Sequence, residues 1–113
     1  MIKLITAVVK PHMLDAVKDG LKDVGVQGLT ITEVKGYGRQ GGHTETYRGA
    51  EYTVDLVPKL KVEVICAIDD AEGGMEVIRK SAYTGKIGDG KIWMLDVDRL
   101  LRVRTGEMGE EAI

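Results

Sequence analysis

The 113-residue chain is long enough to form one hydrophobic core and too short to form two. Its 43% hydrophobic and 30% charged residues are typical of a soluble globular domain. Sixteen basic and eighteen acidic residues give a net charge of −2, which argues against general electrostatic binding to nucleic acid or to an anionic membrane surface.

The single cysteine and the short apolar runs indicate the cell compartment in which the protein is expected. Cys66 has no second cysteine to pair with and stands in an apolar run, which indicates a buried and inert thiol. No secretory leader pattern follows Met1, and no run approaches the ~20 apolar residues of a membrane span. We therefore expect a cytoplasmic protein of one domain, residues 1–113.

The first elements of the chain are predicted to be a strand and a helix. Residues 2–9 are rich in β-branched side chains and apolar on both faces, as in a strand covered by two layers. Residues 12–24 repeat apolar side chains at intervals of three and four between Pro11 and Gly25, which is typical of an amphipathic helix. The interior Gly20 is expected to cost this helix about 1 kcal/mol relative to alanine.

The later elements repeat this pattern. Asp69 and Asp70 suit the start of a second helix, whereas Gly73 and Gly74 are expected to make its first turn fray. The tail at 106–113 is acidic, rich in small residues and expected to be mobile. The predicted elements after the first helix are strands at 29–35, 60–68 and 91–97 and a helix at 69–82.

The element order predicts an α+β fold of the ferredoxin-like βαββαβ type, a two-layer sandwich. Two helices can cover only one face of a four-stranded sheet. Aromatic residues make up 4% of the chain and phenylalanine is absent, so the chain has few large side chains with which to fill a core alone. We expect the second face to pack against identical chains in a homo-oligomer.

A long polar, glycine-rich segment at 36–59 separates the two halves. Its first half lacks the apolar period that would anchor a helix or strand on a core, and compact domains seldom keep such a loop without a function. Its G-x-G-x-x-G pattern at 36–41 follows a strand but does not open a helix, so a dinucleotide-binding fold is not predicted.

A second glycine-rich loop at 84–90 is a candidate anion site. It resembles a P-loop, but Ile92 stands where Ser or Thr would hold magnesium, and a strand follows instead of a helix. Lys86 and Lys91 supply positive charge to this loop. The residues allow two interpretations: a phosphate cradle or a plain tight turn.

Arg102 and Arg104 point to the same side of an extended chain, which suits a polyphosphate or a solvated face paired with glutamate. His12 and His43 show no spacing typical of a metal site or a catalytic triad. No carboxylate dyad is evident either. These observations argue against an enzyme.

Four runs together identify the chain as similar to a known family. The chain resembles the PII nitrogen-regulatory signal proteins in four runs that follow one another in the same order. These are VVKPHMLDAV, GYGRQGGHTETYRGAEYTVD, TGKIGDGKIW and RVRTGE. The resemblance implies a homotrimer whose long loop, the T-loop at about 37–55, projects from the body. It also assigns a second glycine loop at about 83–90 and a C-terminal tail at 98–113.

The resemblance further implies that ATP or ADP binds between subunits, and that 2-oxoglutarate binds beside ATP through a shared Mg²⁺ ion. Gln40 would hold the metal, and Gln40 and Lys59 would bind 2-oxoglutarate. The two tail arginines would come from the neighbouring subunit. The nucleotide-binding residues implied are Gly28, Leu29, Thr30, Gly38, Arg39, Gln40, Glu63, Val64, Gly88, Asp89, Gly90, Lys91, Arg102 and Arg104.

Tyr52 matches the tyrosine that many members of the family carry as a nucleotidylation site, for UMP or for AMP. Ala50 stands where some relatives have a phosphorylated serine, which excludes that modification here. Gly41 replaces a basic residue that often follows the Arg-Gln pair, which removes one charge near the metabolite site.

The function implied is a non-enzymatic sensor of adenylate state and 2-oxoglutarate. Its T-loop would regulate an ammonium transporter, an enzyme that modifies glutamine synthetase, or a nitrogen regulator, and a nucleotidyltransferase would act on Tyr52. The protein would approach the membrane only through a transporter and would not bind nucleic acid. The alternatives are a PII-like sensor of another metabolite or a nucleotide-hydrolysing enzyme.

Overall fold

The computed structural model describes residues 1–37, 43–47, 50–54 and 56–113. In the two short ranges it describes the backbone alone. Its helices and strands are β1 (Ile2–Val9), a 3₁₀ turn (Pro11–Met13), α1 (Leu14–Asp23), β2 (Thr30–Gly36), β3 (His43–Tyr47), β4 (Ala50–Val54), β5 (Val57–Ala67), α2 (Ile68–Ala82), β6 (Lys91–Val97) and a second 3₁₀ turn (Gly109–Ala112).

The main sheet confirms the predicted ferredoxin-like fold. Its four strands run in the order β2-β5-β1-β6, and each pairs antiparallel with its neighbour. This is the order that two interleaved βαβ units produce. The two central strands, β1 and β5, are sandwiched between the outer strands β2 and β6.

The segment at 36–59, predicted to be a long loop, contains two strands. Strands β3 and β4 pair with each other in a separate two-stranded sheet, with Thr44 opposite Thr53 and Glu45 opposite Tyr52. Because the two strands pair with each other, they need no apolar period facing a core. The β-branched threonines of both strands favour extended backbone, and this signal was available in the sequence. Strand β5 also begins at Val57, earlier than the predicted residue 60.

The core lies between the two helices and one face of the sheet. Ile5 of β1, Val62 of β5, Val17 and Leu21 of α1, and Ile78 of α2 are all fully buried. They come from the alternating positions of the strands and from the predicted apolar stripes of the helices. This face of strand one is covered as expected.

The other face of the sheet is apolar and lacks a covering layer from this chain's own helices. Leu4 of β1 lies opposite Ile65 of β5 on one side and Leu95 of β6 on the other. Thr6 of β1 lies opposite Trp93 of β6. Trp93 is 41% exposed and Leu95 is 56% exposed. A patch of this kind on a sheet is a surface suited to contact with another chain.

Gly20 has a packing role that its sequence context did not reveal, because it lies where α1 crosses α2. A Cβ atom at this position would lie 2.6 Å from Ser81 Oγ and 2.9 Å from Val77 Cγ1. The serine hydroxyl can rotate away, but a β-branched valine in a helix has little rotamer freedom. Glycine at position 20 therefore allows the close approach of the two helices.

Gly20→Ala is expected to lower the free energy of unfolding by about 1–2 kcal/mol, because overpacking outweighs the gain in helix propensity. Gly73→Ala is the matched control: its Cβ would meet no atom within 4 Å. This control should raise stability by roughly 0.5–1 kcal/mol. Urea denaturation of both variants checks the pair, and a Gly20→Ala protein at least as stable as the parent would contradict the packing role.

Candidate functional site

The second glycine loop, between α2 and β6, has a backbone that requires glycine. Gly85, Gly88 and Gly90 have φ angles of +84°, +96° and +105°. A Cβ atom on Gly90 would lie 1.7 Å from the carbonyl oxygen of Val8. The loop therefore passes directly against the end of β1, and this contact requires glycine at position 90, while the positive φ angles favour glycine at positions 85 and 88.

Asp89 organises this loop from within. Its carboxylate accepts hydrogen bonds from the backbone N–H groups of Thr84, at 2.8 Å, and Gly85, at 2.9 Å, and from the Thr84 hydroxyl. Lys10 Nζ lies 3.1 Å from the same carboxylate. The Thr84 hydroxyl, together with the two backbone N–H groups and Lys10, lowers the pKa of Asp89 far below its usual range. The side chain predicted to contact a nucleotide is thus engaged inside its own loop.

Acid should reduce the stability that the Asp89 carboxylate gives to the folded protein. The Asp89→Asn variant lacks this carboxylate and should lack this part of the pH dependence. The folded-state pKa is depressed, so the stabilisation is present above the ordinary pKa of 3.8 and is lost as pH falls toward the folded value. The melting temperature of the parent should exceed that of Asp89→Asn by a constant amount from about pH 7 to pH 5, and the gap should narrow below about pH 4.

Calorimetric melting between about pH 7 and pH 3 measures this gap. Asp19→Asn, at an exposed position on α1, removes one negative charge away from the loop and serves as the control. A parent-to-Asp89→Asn gap that stays constant down to pH 3 would refute the role of the Asp89 carboxylate.

Lys59 joins β5 to the second glycine loop. The residue is only 6% exposed, and its Nζ donates a hydrogen bond to the carbonyl oxygen of Gly88. Burial and the charge of Lys10 lower its pKa, and the nearby Asp89 opposes the shift. A Cβ atom built on Gly36 would lie 3.5 Å from Lys59 Cγ, so the lysine also touches the start of the long segment. One buried cation therefore contacts the bases of both loops.

We refer to Lys59, Gly88, Asp89, Gly90 and Lys91 as the glycine-loop half-site. Lys91 begins β6 and is exposed. Lys10 and Thr84 were missed by sequence reasoning, although both support this loop. Thr84 lies five residues before Asp89 in the same loop. This short spacing was the only feature of the sequence that could have indicated a hydrogen bond between the two side chains.

The predicted nucleotide-binding residues at positions 28–30 and 63 line a depression of about 470 Å³ at the β2 edge of the sheet. Leu4 and Ile65 complete its wall. Val64, predicted with this group, is 1% exposed and its side chain lies in the core beneath the helices. We call the following four residues the edge half-site: Gly28, Leu29, Thr30 and Glu63.

The two half-sites reach opposite edges of the main sheet, although the central strand β5 carries one residue of each, Lys59 and Glu63. Thr30 begins β2 and Lys91 begins β6, the two outer strands. Neighbouring strands are ~4.8 Å apart, so about 14 Å of sheet separates these edges. Asp89, Gly90 and Lys91 line one depression, and the edge half-site lines another that contains none of these three residues. The described residues of the two half-sites therefore line separate depressions within one copy.

The tail arginines differ from each other. Arg102 Nη1 lies 3.0 Å from Glu107 Oε1, and Nη2 donates to the carbonyl oxygen of Ile113 at 2.7 Å. Arg104 is exposed. The tail also forms a backbone bridge between Leu101 and Met108, so residues expected to be mobile are instead held by hydrogen bonds. Pairing with glutamate, one of the two interpretations of the arginines, applies to Arg102.

Several predicted residues lie outside the description. Gly38, Arg39, Gln40 and Gly41 are not among the described residues. Tyr52 is in β4, but its side chain is not described. Among the described residues, no three His, Cys, Asp or Glu side chains form a metal-binding group. No helix in those same ranges is long and apolar enough to cross a membrane.

Comparison with known proteins gives consistent matches along the chain. The family described as "Nitrogen regulatory protein P-II" matches residues 2–107. A nitrogen regulatory protein P-II of Rhizobium meliloti (strain 1021) is 58% identical over 111 residues, which cover 98% of this chain and 99% of that protein. Nitrogen regulatory protein GlnK of Escherichia coli (strain K12) is 51% identical with the same coverage. The crystal structure of Arabidopsis thaliana PII bound to citrate has a TM-score of 0.82 and 34% identity, covering 99% of this chain and 92% of that one.

Proposed function

Because this chain belongs to the nitrogen regulatory protein P-II family, we propose that it senses adenylate nucleotides and 2-oxoglutarate and reports their state through the T-loop. The family consists of regulatory proteins, so the chain is a signalling protein and not an enzyme, as predicted. The proposed ligands are ATP or ADP, with Mg²⁺ and 2-oxoglutarate added to the ATP-bound form.

The observation that carries the proposal is the position of Lys59. A buried lysine beside a glycine loop with three left-handed residues gives an anion a fixed positive charge in a partly dehydrated setting. The lysine also contacts the base of the long segment. An anion bound here would therefore act on both loops together, which is the requirement for a ligand-controlled T-loop.

A polycarboxylate is a reasonable ligand for this setting. The Arabidopsis PII structure is described as bound to citrate, so a related protein of the same fold accommodates a molecule of this class. We propose that 2-oxoglutarate places one carboxylate near Lys59. The magnesium ion would be held by ATP phosphates and Gln40, because hard cations prefer oxygen ligands of this kind.

The two half-sites and the open sheet face support a homotrimer. A nucleotide lying against either edge of one copy would be covered on one side only. Packing the apolar face around Trp93 and Leu95 against neighbouring copies would bury that face and bring an edge half-site beside another copy's glycine-loop half-site. Arg102 and Arg104 of the neighbouring copy would then neutralise the phosphates.

The T-loop is proposed to act on a nitrogen-related target in the cytoplasm. That target is an ammonium transporter, an enzyme that modifies glutamine synthetase, or a nitrogen regulator. Tyr52 is the proposed acceptor of UMP or AMP from a nucleotidyltransferase, because attaching a nucleotide adds charge and bulk to the segment that partners contact. Mass spectrometry of Tyr52 in protein taken from cells shifted between ammonium excess and starvation tests the modification.

Isothermal titration calorimetry tests the proposed ligands. We expect 2-oxoglutarate to bind with Mg²⁺ and ATP present and not with Mg²⁺ and ADP, because only ATP supplies the γ-phosphate that completes the metal site. Equal binding of 2-oxoglutarate without nucleotide would overturn the proposal. Nucleotide binding without any response to 2-oxoglutarate would favour a PII-like sensor of another metabolite.

A further inference from the structure

The tail folds back on itself in a tight turn that begins at Arg102. The backbone N–H of Arg102 donates to the carbonyl oxygen of Glu107 at 2.9 Å, and the N–H of Gly106 donates to the carbonyl oxygen of Arg102 at 2.8 Å. Gly106 has a φ angle of +74°, which favours glycine in this turn. A backbone bridge between Leu101 and Met108 continues the pairing. The turn therefore brings residue 107 beside residue 102.

The guanidinium group of Arg102 is held by two acceptors of the same tail. Nη1 lies 3.0 Å from Glu107 Oε1, and Nη2 donates to the main-chain oxygen of Ile113 at 2.7 Å. The Arg102 and Glu107 side chains are 34% and 41% exposed, so water screens the pair, and pairs of this kind are weak. A stronger anion can therefore replace Glu107 at this arginine.

The end of the tail is fixed to the body at further points. The carboxylate of Glu110 lies 3.7 Å from the amino group of Met1. Glu110 and Ile113 also line a cavity of about 440 Å³, together with Val26 at the end of α1. The contact between Arg102 and the main-chain oxygen of Ile113 therefore links an arginine of the proposed phosphate site to the docked end of the tail.

Arg104 starts from a different state. It is exposed and forms no ion pair within the part of the chain that the structure describes. A polyphosphate can approach it without displacing a carboxylate. At Arg102, a polyphosphate that arrived with Glu107 in place would set two anions against one guanidinium group, and their repulsion is poorly screened in a partly dehydrated cleft. A polyphosphate also offers Arg102 more negative charge than one carboxylate does.

We propose that Glu107 is an internal competitor for the phosphate groups at Arg102, and that it couples nucleotide binding to release of the tail. Without nucleotide, Glu107 and the main-chain oxygen of Ile113 hold the guanidinium group. When nucleotide binds, a phosphate replaces Glu107, the contact with Ile113 is lost, and the end of the tail leaves the body. The inference rests on the proposed function, in which Arg102 contacts the phosphates, and adds a regulatory contact to it.

Calorimetric titration of the full chain with ATP and Mg²⁺ tests the competition. Glu107→Gln keeps the shape of the side chain and removes its charge, so its hold on Arg102 becomes weaker. We expect Glu107→Gln to bind ATP about fourfold more tightly than the parent, the gain expected when an exposed ion pair no longer has to be broken. Glu111→Gln removes the same charge from an exposed position of the tail and should stay within about 1.5-fold of the parent.

An Arg102→Gln background separates competition from a general effect of charge. In this background, Glu107→Gln should change the ATP affinity by less than about 1.5-fold, because the carboxylate acts through the arginine. Tail release has its own readout, the ¹⁵N heteronuclear NOE at Ala112 and Ile113. These values should fall when ATP is added to the parent and should already be lower in Glu107→Gln without ATP. Thermal melting verifies that each variant is folded.

An ATP affinity of Glu107→Gln equal to or weaker than that of the parent would overturn the inference, since the loss of a residue that only orients Arg102 would weaken binding. An equal gain in the Arg102→Gln background would also overturn it, as would NOE values at the end of the tail that do not respond to ATP. All three outcomes require ATP to bind and leave the proposed function intact. Absence of ATP binding in the parent and in all variants would overturn both.

Discussion

Lys59→Ala is expected to lower the affinity for 2-oxoglutarate by about 30-fold or more while sparing most of the affinity for ATP. The lysine is buried, so its charge is poorly screened by water, and removing one partner of such a charge pair typically costs about 2 kcal/mol or more. ATP retains the remaining anion contacts proposed at the glycine loop and the tail. Calorimetric titration of both ligands, in the presence of Mg²⁺, measures the two effects separately.

Lys61→Ala is the matched control for this experiment. Lys61 lies two residues further along β5 on the same face of the sheet, and its Nζ lies 3.9 Å from Glu63 Oε1. Its removal takes away the same charge without touching the carbonyl group of Gly88. An equal loss of 2-oxoglutarate and ATP affinity in Lys59→Ala would refute a specific role for Lys59, as would an equal loss of 2-oxoglutarate affinity in Lys61→Ala.

Gly90→Ala should be the most damaging small substitution in the glycine loop. The residue has a φ of +105°, which an alanine adopts only under strain, and the new Cβ would lie 1.7 Å from a backbone oxygen that cannot rotate away. Strain and overlap together should lower the free energy of unfolding by roughly 2–5 kcal/mol. Displacement of the loop should also weaken ATP binding in any protein that folds.

Gly25→Ala provides the comparison for Gly90→Ala. Gly25 has a φ of +93° but no atom within 4 Å of a built Cβ, so it reports backbone strain without the overlap. We expect it to cost about 1–2 kcal/mol and to leave ATP binding unchanged. Urea denaturation and ATP titration of both variants make the comparison, and equal effects on stability would show that the contact with Val8 is unimportant.

Element order and approximate boundaries could be predicted because their signals are local. The β-branched run at residues 2–9 gave strand β1 to the residue, and the three- and four-residue spacing at 12–24 gave helix α1 to within two residues at its start and one at its end. The strands at 43–47 and 50–54 were missed because they pair with each other and carry no apolar period. The start of β5 was placed too late because Pro58 and Lys59 do not alternate like the residues that follow.

The candidate site could be predicted as a list of residues but not as an arrangement. The glycine spacing at 85–90 indicated an anion cradle or a turn, and the family resemblance added the remaining residues. Neither source revealed that Asp89 is bound within its own loop or that Arg102 is held by Glu107. Gly20 appeared to be a helix defect until its contact with Val77 was visible.

The sequence by itself determined the order of strands and helices, the apolar faces and the family, because periodicity, turn residues and long matched runs are all properties of neighbouring positions. Only the tertiary structure decided which distant groups meet. The contact of Lys59 with Gly88 joins residues 29 positions apart, and the contact of Gly90 with Val8 joins the loop before the last strand to the end of the first strand. Such contacts depend on strand pairing and loop path, which no local pattern encodes.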